Sequence, residues 1–198
     1  LSMINLNMVS EIEKYQYLCG SICISEEIKD GLLNKDMSDI EKNQAINEIQ
    51  SMIRTKIIYP AQAKNITVYD TDGNIFYDLG YDGFYQDDVD MLLDRLRQEN
   101  QDVWAYVHTY RDRDILVLGR RIYEQYSESR VIGYTLISID EKIFSKTVLE
   151  PVGLADSSNI MYMNMDGTVL SSWDRNIALG EKVDSEFLKN IQQKLPSR

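Results

Sequence analysis

The chain has 198 residues, and its hydrophobic share of 43% is enough to build a packed core, which excludes wholesale disorder. Its formal net charge is −11, and such a surface repels phosphate backbones, which disfavours nucleic-acid binding. No apolar run reaches the roughly 18 residues that a membrane span requires, so we expect any anchor or export signal to lie outside this chain.

Residues 1–60 have the pattern of helices. Apolar side chains at helical spacing form one stripe along the first segment, consisting of Ile4, Met8, Ile12, Tyr15, Cys19 and Ile22. A second helix is predicted to begin at Ser38, which forms a capping box with Glu41, and to end before Pro60. Its predicted core face consists of Ile46, Ile49, Ile53 and Ile57.

The two cysteines, Cys19 and Cys23, are one helical turn apart. A disulfide at this spacing would close almost no loop, and zinc would need further ligands that the neighbouring sequence does not offer. We interpret both as ordinary residues of a helix face.

Strand patterns follow the helical region. Strands 66–69 and 75–77 flank a turn whose Asp72-Gly73 pair supplies the positive φ that a tight hairpin requires. A short helix at 88–97 comes next, then strands 103–110, 115–122 and 131–139, and a helix at 141–148. The order predicts an α+β fold with an antiparallel five-stranded sheet crossed by helices.

The hairpin pattern occurs twice. Residues 65–78 read NITVYDTDGNIFYD and residues 159–172 read NIMYMNMDGTVLSS, with Asp-Gly at the same offset. The chain after the second copy has room for the hairpin and one helix, whose apolar side would be Phe187, Leu188, Ile191 and Leu195. We therefore predict two modules that share a hairpin, the second smaller or truncated.

Several segments together resemble the extracellular double Cache (PAS-like) sensor region of bacterial membrane receptors, most of all YesM-like sensor histidine kinases. The resemblance covers nearly the whole chain. The segments are the long N-terminal helix, the first hairpin, ILVLGRRIY at 115–123, VIGYTLISIDEKIF at 131–144 and NIMYMNMDGTVLSSWDRNIALG at 159–180.

This resemblance implies an organisation and a location. Residues 1–60 would form the N-terminal helical region, 61–150 a membrane-distal PAS-like (Cache) module, and 151–198 a partial membrane-proximal PAS-like module. Flanking transmembrane helices outside this chain would place it on the extracellular face of the cell membrane, with a homodimer through the N-terminal helix as one option. The parent protein would be an integral membrane protein.

The implied function is ligand sensing for a two-component histidine kinase, with an unknown small molecule shifting the packing of sheet and helix. Alternatives are the sensor of a chemotaxis transducer or of a cyclic-nucleotide enzyme, and a ligandless structural or dimerisation module. A secreted enzyme is a further class, but no phosphate loop, nucleophile elbow or metal-binding histidine pair occurs. We therefore expect no catalytic residues in this chain.

We also expect no cofactor and no metal. The acidic turn at Asp70, Asp72 and Gly73 has the start of a calcium loop, but the position that needs a bidentate glutamate is Tyr81.

One strand, VWAYVHTY at 103–110, has a face that is aromatic with polar tips and a face of small or apolar residues. The small face is predicted to pack against the long helix. The aromatic face is either a satisfied sheet face or the wall of a ligand pocket on the opposite side, with Arg120 or Arg121 as an anion clamp. The predicted ligand-binding residues are Trp104, Tyr106, His108, Tyr110, Arg120 and Tyr134.

Overall fold

The computed structural model describes residues 2–34, 36–56, 63–80, 83–110, 113–125, 130–149, 160–174 and 176–192. Three helices come first: α1 (Ser2–Cys23), α2 (Glu26–Leu33) and α3 (Asp39–Lys56). The remaining elements are β1 (Ala63–Asp70), β2 (Ile75–Leu79), α4 (Gln86–Gln98), β3 (Val103–His108), β4 (Asp114–Tyr123), β5 (Val131–Asp140), α5 (Glu141–Leu149), β6 (Met161–Met163), β7 (Val169–Ser172) and α6 (Ser185–Gln192).

The predicted α+β fold is confirmed. β1 to β5 form one antiparallel sheet in the order β2-β1-β5-β4-β3. β3 is therefore an edge strand, and it begins at Val103 opposite Gly119 of β4. The last residues of β4, from Arg120 to Tyr123, consequently extend past the start of β3.

The N-terminal helices bury the stripes that the sequence predicts. Tyr15, Cys19 and Ile22 of α1 are fully buried, as is Leu18, which the predicted stripe left out. The capping box of α3 is formed: the backbone N–H of Ser38 donates to Glu41 Oε2 at 2.8 Å, and that of Glu41 donates to Ser38 Oγ at 3.4 Å. Ile49 and Ile53 are buried, whereas Ile57 and Pro60 lie outside the described residues.

Helix α2 was not predicted. It is short, and Ser25 caps its N-terminus by accepting a hydrogen bond from the backbone N–H of Ile28 at 3.4 Å. Its buried side is small, with Ile28 and Leu32 as apolar contacts, so the hydrophobic period is too brief to stand out in the sequence.

Two apolar clusters cover the two faces of the sheet. On the first, which we call the α1 face, side chains of α1, α2, α3 and α5 pack against alternate residues of the strands, including Trp104, Leu116 and Leu118. On the second, the α4 face, Leu92, Leu93 and Leu96 pack against the other set. That set contains Val103, Ala105, Val107, Val117, Tyr134 and Leu136.

The second hairpin, β6–β7, forms a separate two-stranded sheet. Its register repeats that of β1–β2: Val68 pairs with Tyr77, and at the corresponding positions 94 residues later Tyr162 pairs with Ser171. Both hairpins have a register shift one residue further on, and the two turn glycines, Gly73 and Gly167, have φ of 90° and 86°. The repeated sequence therefore folds into the same local structure twice.

Candidate functional site

A cavity lies where β4 extends past the edge strand, and we call it the edge cavity. Its volume is 290 Å³, and the segment between α4 and β3 closes one side. The lining residues are Gly20, Cys23, Ile24, Lys29, Asn100, Gln101, Asp102, Arg120, Arg121, Tyr123 and Gln125.

Arg120 is held rigidly at this cavity. Its Nε and Nη2 donate to the two carboxylate oxygens of Asp102 at 2.6 and 2.5 Å, and its Nη1 donates to the carbonyl of Gln16 in α1 at 3.3 Å. The hydrogen-bonded carboxylate raises the pKa of Arg120 above its usual value, although partial burial acts in the opposite direction. The pair fixes the cation and ties β4 to the α4–β3 segment.

The adjacent Arg121 has a structural role. Its side chain donates to the carbonyls of Leu96 and, at 3.0 Å, Arg97, which are at the end of α4. A cation at a helix C-terminus satisfies carbonyls that have no partner within the helix. Arg120 therefore lies on the α1 face and Arg121 caps α4, and both side chains line the edge cavity.

Lys29, on α2, is the other cation of the edge cavity. Its side chain is only 5% exposed, and its Nζ is 3.8 Å from the largely exposed carboxylate of Glu26. Sequence reasoning missed Lys29 and Asp102, because they come from separate elements and no local pattern connects them.

The two thiols of α1 are buried and free. Burial, reinforced by a hydrogen bond with Cys23, raises the pKa of the Cys19 thiol. A buried, protonated thiol is a poor nucleophile, so Cys19 acts as a core residue of the α1 face. Cys23 packs in the same cluster.

The predicted pocket does not form as expected. Trp104 is on the α1 face, not opposite it, and it is buried with its ring 6.0 Å from that of Tyr162 in the second hairpin. The small face of β3 packs against α4 instead of the long helix. The alternation of large and small residues was predicted correctly, but the side that each set faces was predicted wrongly.

The remaining predicted residues are dispersed. Tyr106 donates a hydrogen bond from its hydroxyl to Asp114 Oδ1 at 2.5 Å and lines a separate groove of 480 Å³ between α4, β3 and the second hairpin. His108 is about half exposed beside Asp114. Tyr110 lies beyond the end of β3, exposed and against the ring of Tyr85.

Tyr134 lies on the α4 face, buried beneath the guanidinium of Arg97, which is 5.8 Å from the ring centroid. Of the six predicted residues, only Arg120 lines the edge cavity. Within the described part of the chain, no cluster of His, Cys, Asp and Glu is arranged to hold a metal ion. The helices described in the structure include none that is long and apolar enough to cross a membrane.

Comparison with known proteins gives structural likeness only. No family model and no curated protein matches the sequence. The periplasmic domain of Vibrio cholerae LuxQ superposes with a TM-score of 0.56 at 14% identity, covering 94% of this chain and 81% of that one.

Two further structures extend the likeness. The extracellular domain of rpHK1S-Z16, which is assigned as a histidine kinase, gives a TM-score of 0.58 at 16% identity over 97% of this chain and 78% of that one. The ligand-binding domain of the Campylobacter jejuni chemoreceptor Tlp3, in complex with L-norvaline, gives 0.54 at 12% identity over 97% and 75%. The chain therefore has the fold of periplasmic and extracellular sensor domains.

Proposed function

We propose that this chain is the extracellular ligand-sensing region of a bacterial membrane receptor whose output is a sensor histidine kinase. The observation that supports it is the shared fold: a long N-terminal helix on a five-stranded antiparallel sheet, matched over nearly the whole chain by the LuxQ and rpHK1S-Z16 domains. The YesM-like kinases, which the sequence resembles, are the proposed subgroup.

The proposed mechanism is a population shift between packings of α1 on the sheet. α1 contacts the sheet through buried side chains, and Arg120 of β4 donates to the backbone of α1. A ligand that binds one packing better than another displaces the equilibrium by its difference in affinity. Helices flanking this chain would carry the change across the membrane.

The proposed organisation has a distal module at 61–150 and a partial proximal module at 151–198, preceded by the helical region at 1–60. The matching registers of the two hairpins support this division. A homodimer through α1 is part of the proposal, since Leu6 and Tyr17 on its outer side are 69% and 67% exposed.

A chemotaxis transducer is the alternative that a specific observation supports, because the Tlp3 domain shares the fold. The parent gene distinguishes the two outputs, since a kinase requires a phospho-accepting histidine segment after the sensor. The cyclic-nucleotide enzyme and the ligandless module stay as alternatives without such support.

The test is a chimaeric receptor in which this chain replaces the sensor between the two transmembrane helices of a characterised histidine kinase, with a transcriptional reporter. A library of amino acids, organic acids and sugars is screened on cells, and hits are titrated against the purified chain by calorimetry. We expect at least one compound that binds the chain also to change the reporter. Compounds that bind without any reporter response, or a library with no binder, would contradict a sensory role.

A further inference from the structure

We propose that the α4–β3 segment, residues 99–102, transmits a displacement of α4 on one face of the sheet to α1 on the other. The proposal rests on the proposed sensory function, since it names a route by which a change on the α4 face would alter the packing of α1. The coupling between the two helices is itself a property of the purified chain.

The α4–β3 segment passes around the edge of the sheet. It belongs to neither a helix nor a strand, and it lies beside the end of β4, which extends past the start of β3. Successive side chains of a strand point to opposite faces, so the neighbouring Arg120 and Arg121 reach the segment from opposite sides of the sheet. The segment is therefore continuous with α4 and in contact, through Arg120, with the side that α1 covers.

Arg121 joins the beginning of the segment to the end of α4. Its side chain donates to the carbonyls of Leu96 and Arg97, the second at 3.0 Å, and its Nη1 donates to Asn100 Oδ1 in the segment at 3.2 Å. The hydroxyl of Tyr123 donates to the same oxygen at 3.3 Å. One guanidinium thus holds the helix end and the segment together, so a shift of the α4 C-terminus displaces residue 100 with it.

Arg120 joins the other end of the segment to α1. It donates to both carboxylate oxygens of Asp102, at 2.6 and 2.5 Å, and to the carbonyl of Gln16 in α1 at 3.3 Å. The two charged side chains are only 29% and 20% exposed, so their ion pair is less screened than one on the surface. Paired hydrogen bonds fix a guanidinium in direction as well as in position. A movement of Asp102 therefore moves the guanidinium and changes its contact with α1.

Gly20 adapts α1 to this contact. It lies one helical turn after Gln16, and a Cβ there would be 2.8 Å from Arg120 Nη1. Glycine inside a helix is unfavourable relative to alanine. Its presence where the guanidinium approaches supports a contact that is made at a cost in helix stability.

The edge cavity gives the segment room to move. Its 290 Å³ lies between residues 100–102 and the end of α1, and a close-packed interface would leave no such freedom. The sheet is more constrained, because β4 is paired with β5 from Ile115 to Tyr123. A displacement of α4 therefore passes along the segment more readily than through the sheet.

The experiment is a double-mutant cycle on the purified chain, with amide hydrogen exchange measured by NMR. Arg121→Met removes the link to α4, Asp102→Asn weakens the link to α1, and the double variant does both. We expect Asp102→Asn to speed exchange of the amides at 20–24 about tenfold to a hundredfold relative to those of β5, the effect of losing charge-assisted contacts. Arg121→Met should speed exchange of the same amides while Asp102 is present, and should add nothing once Asp102→Asn has been made.

Asp94→Asn is the matched control. It also removes a carboxylate from an arginine pair, with Arg97 at 2.7 Å, but on the exposed side of α4, so exchange at 20–24 should stay unchanged. Arg120→Lys keeps the charge and loses the paired hydrogen bonds. It replaces Asp102→Asn in the cycle if that variant does not fold, and it should give a smaller rise in the same amides.

An equal effect of Arg121→Met in both backgrounds, or exchange in α1 that none of the variants changes, would overturn the proposal. The chimaeric receptor separates the proposal from the sensory function. Coupled exchange together with a receptor that responds to no compound would overturn the sensory function and leave the coupling. A receptor that responds equally with and without Asp102→Asn would keep the sensory function and overturn transmission through the segment.

Discussion

Ser171 and Ser172 are neighbouring buried serines with opposite surroundings. Ser171 donates a hydrogen bond at 2.6 Å to Glu141, a carboxylate that is fully buried at the start of α5. The hydroxyl of Ser172 is equally buried, but it has no hydrogen-bond partner in the described structure. The first serine therefore provides a hydrogen-bond donor to a buried carboxylate. The hydroxyl of the second serine loses its hydration on burial and gains no hydrogen bond in return.

We expect Ser171→Ala to lower the free energy of unfolding by about 1–3 kcal/mol, because a buried carboxylate loses a donor. Ser172→Ala should leave it unchanged or raise it slightly, since the hydroxyl gains nothing from burial. Urea denaturation of the two variants measures both values under the same conditions. Equal losses in the two variants would show that the Glu141 contact contributes nothing specific.

Gly133 has no space for a side chain. A Cβ there would lie 2.5 Å from the carbonyl oxygen of Tyr69 and 2.9 Å from Leu32 Cδ1. The carbonyl belongs to the paired strand β1 and cannot move without disturbing the register, so Gly133→Ala should destabilise the chain by about 1–3 kcal/mol. Thermal melting checks it. Gly20→Ala is the comparison: its added Cβ would lie 2.8 Å from one side-chain atom, Arg120 Nη1, whose single 3.3 Å bond to Gln16 can lengthen, and a helical alanine recovers up to about 1 kcal/mol, so the loss should be smaller.

The candidate site could be predicted from the sequence only in part. Alternation along VWAYVHTY correctly separated Trp104 and Tyr106 from Val103 and Ala105, because a strand sends successive side chains to opposite faces. It could not tell which helix covers which face, since that depends on the crossing of distant elements. For the same reason, the sequence could not predict that Lys29 and Arg120 line one cavity, because tertiary packing and not sequence spacing brings them there.

The two hairpins show one turn made with different side chains. Asp70 of the first turn accepts hydrogen bonds from the backbone N–H groups of Asp72 and Asn74 at 2.8 and 2.9 Å. Asn164 holds the corresponding position of the second turn. Both turns make the same two backbone hydrogen bonds. In the first turn, the N–H of Asp70 donates to the carbonyl of Asn74, and the N–H of Gly73 donates to that of Asp70. In the second turn, Asn164 donates to Thr168 and Gly167 donates to Asn164 in the same way. The backbone fold therefore does not require a carboxylate.

Stability of the first turn should depend on pH. Burial acts to raise the pKa of Asp70, but hydrogen bonds from Asn74, Asp72 and Gly73 outweigh it and lower the pKa below its usual value of 3.8. A carboxyl with a lowered folded-state pKa stabilises the fold above its unfolded-state pKa, and this stability is lost as the pH falls through the folded-state value.

Asp70→Asn, which introduces the residue of the second turn, should remove this dependence and keep the hairpin. Melting temperatures of the variant and wild type are compared from about pH 6 down to about pH 2, the range that covers carboxyl titration. The difference between them should shrink as the pH falls. A constant difference would mean that the Asp70 hydrogen bonds have no net preference for the ionised form.

At the level of elements, the sequence predicted all five strands of the sheet and the helices around them except α2, because the hydrophobic periods of these elements are long and turn residues separate them. β3 is shorter than predicted, ending at His108 and not at Tyr110. The next residue, Thr109, donates its backbone N–H to the carbonyl of Arg113 at 3.1 Å.

Across the whole molecule, four aromatic rings connect the N-terminal helix to the second hairpin and the edge strand. Tyr15 of α1 is 6.5 Å from Phe144 of α5, Phe144 is 6.1 Å from Tyr162 of β6, and Tyr162 is 6.0 Å from Trp104 of β3. The side chain of Asn164 adds a hydrogen bond to the carbonyl of Trp104 at 3.0 Å. A change in the packing of α1 therefore has a contiguous set of contacts through which to reach the second hairpin.

The last prediction concerns the Trp104–Tyr162 contact, whose rings are nearly perpendicular at 85°. A double-mutant cycle with Trp104→Leu, Tyr162→Leu and the double variant should give a coupling free energy of about 0.5–1.5 kcal/mol beyond the loss of buried area. Urea denaturation of the four proteins supplies the values.

Tyr85 and Tyr110 are the matched control, because their rings are closer, at 4.2 Å, but 45% and 59% exposed. Because these exposed rings stay largely hydrated, their contact displaces less water, and the same cycle should give a coupling free energy of less than about 0.5 kcal/mol. If the two cycles give equal coupling, ring contact alone accounts for it, and the buried pair has no special part in holding the second hairpin. If the buried pair couples more strongly, the Trp104–Tyr162 contact itself helps to hold the second hairpin on the sheet, which is the energetic link that the proposed mechanism requires between them.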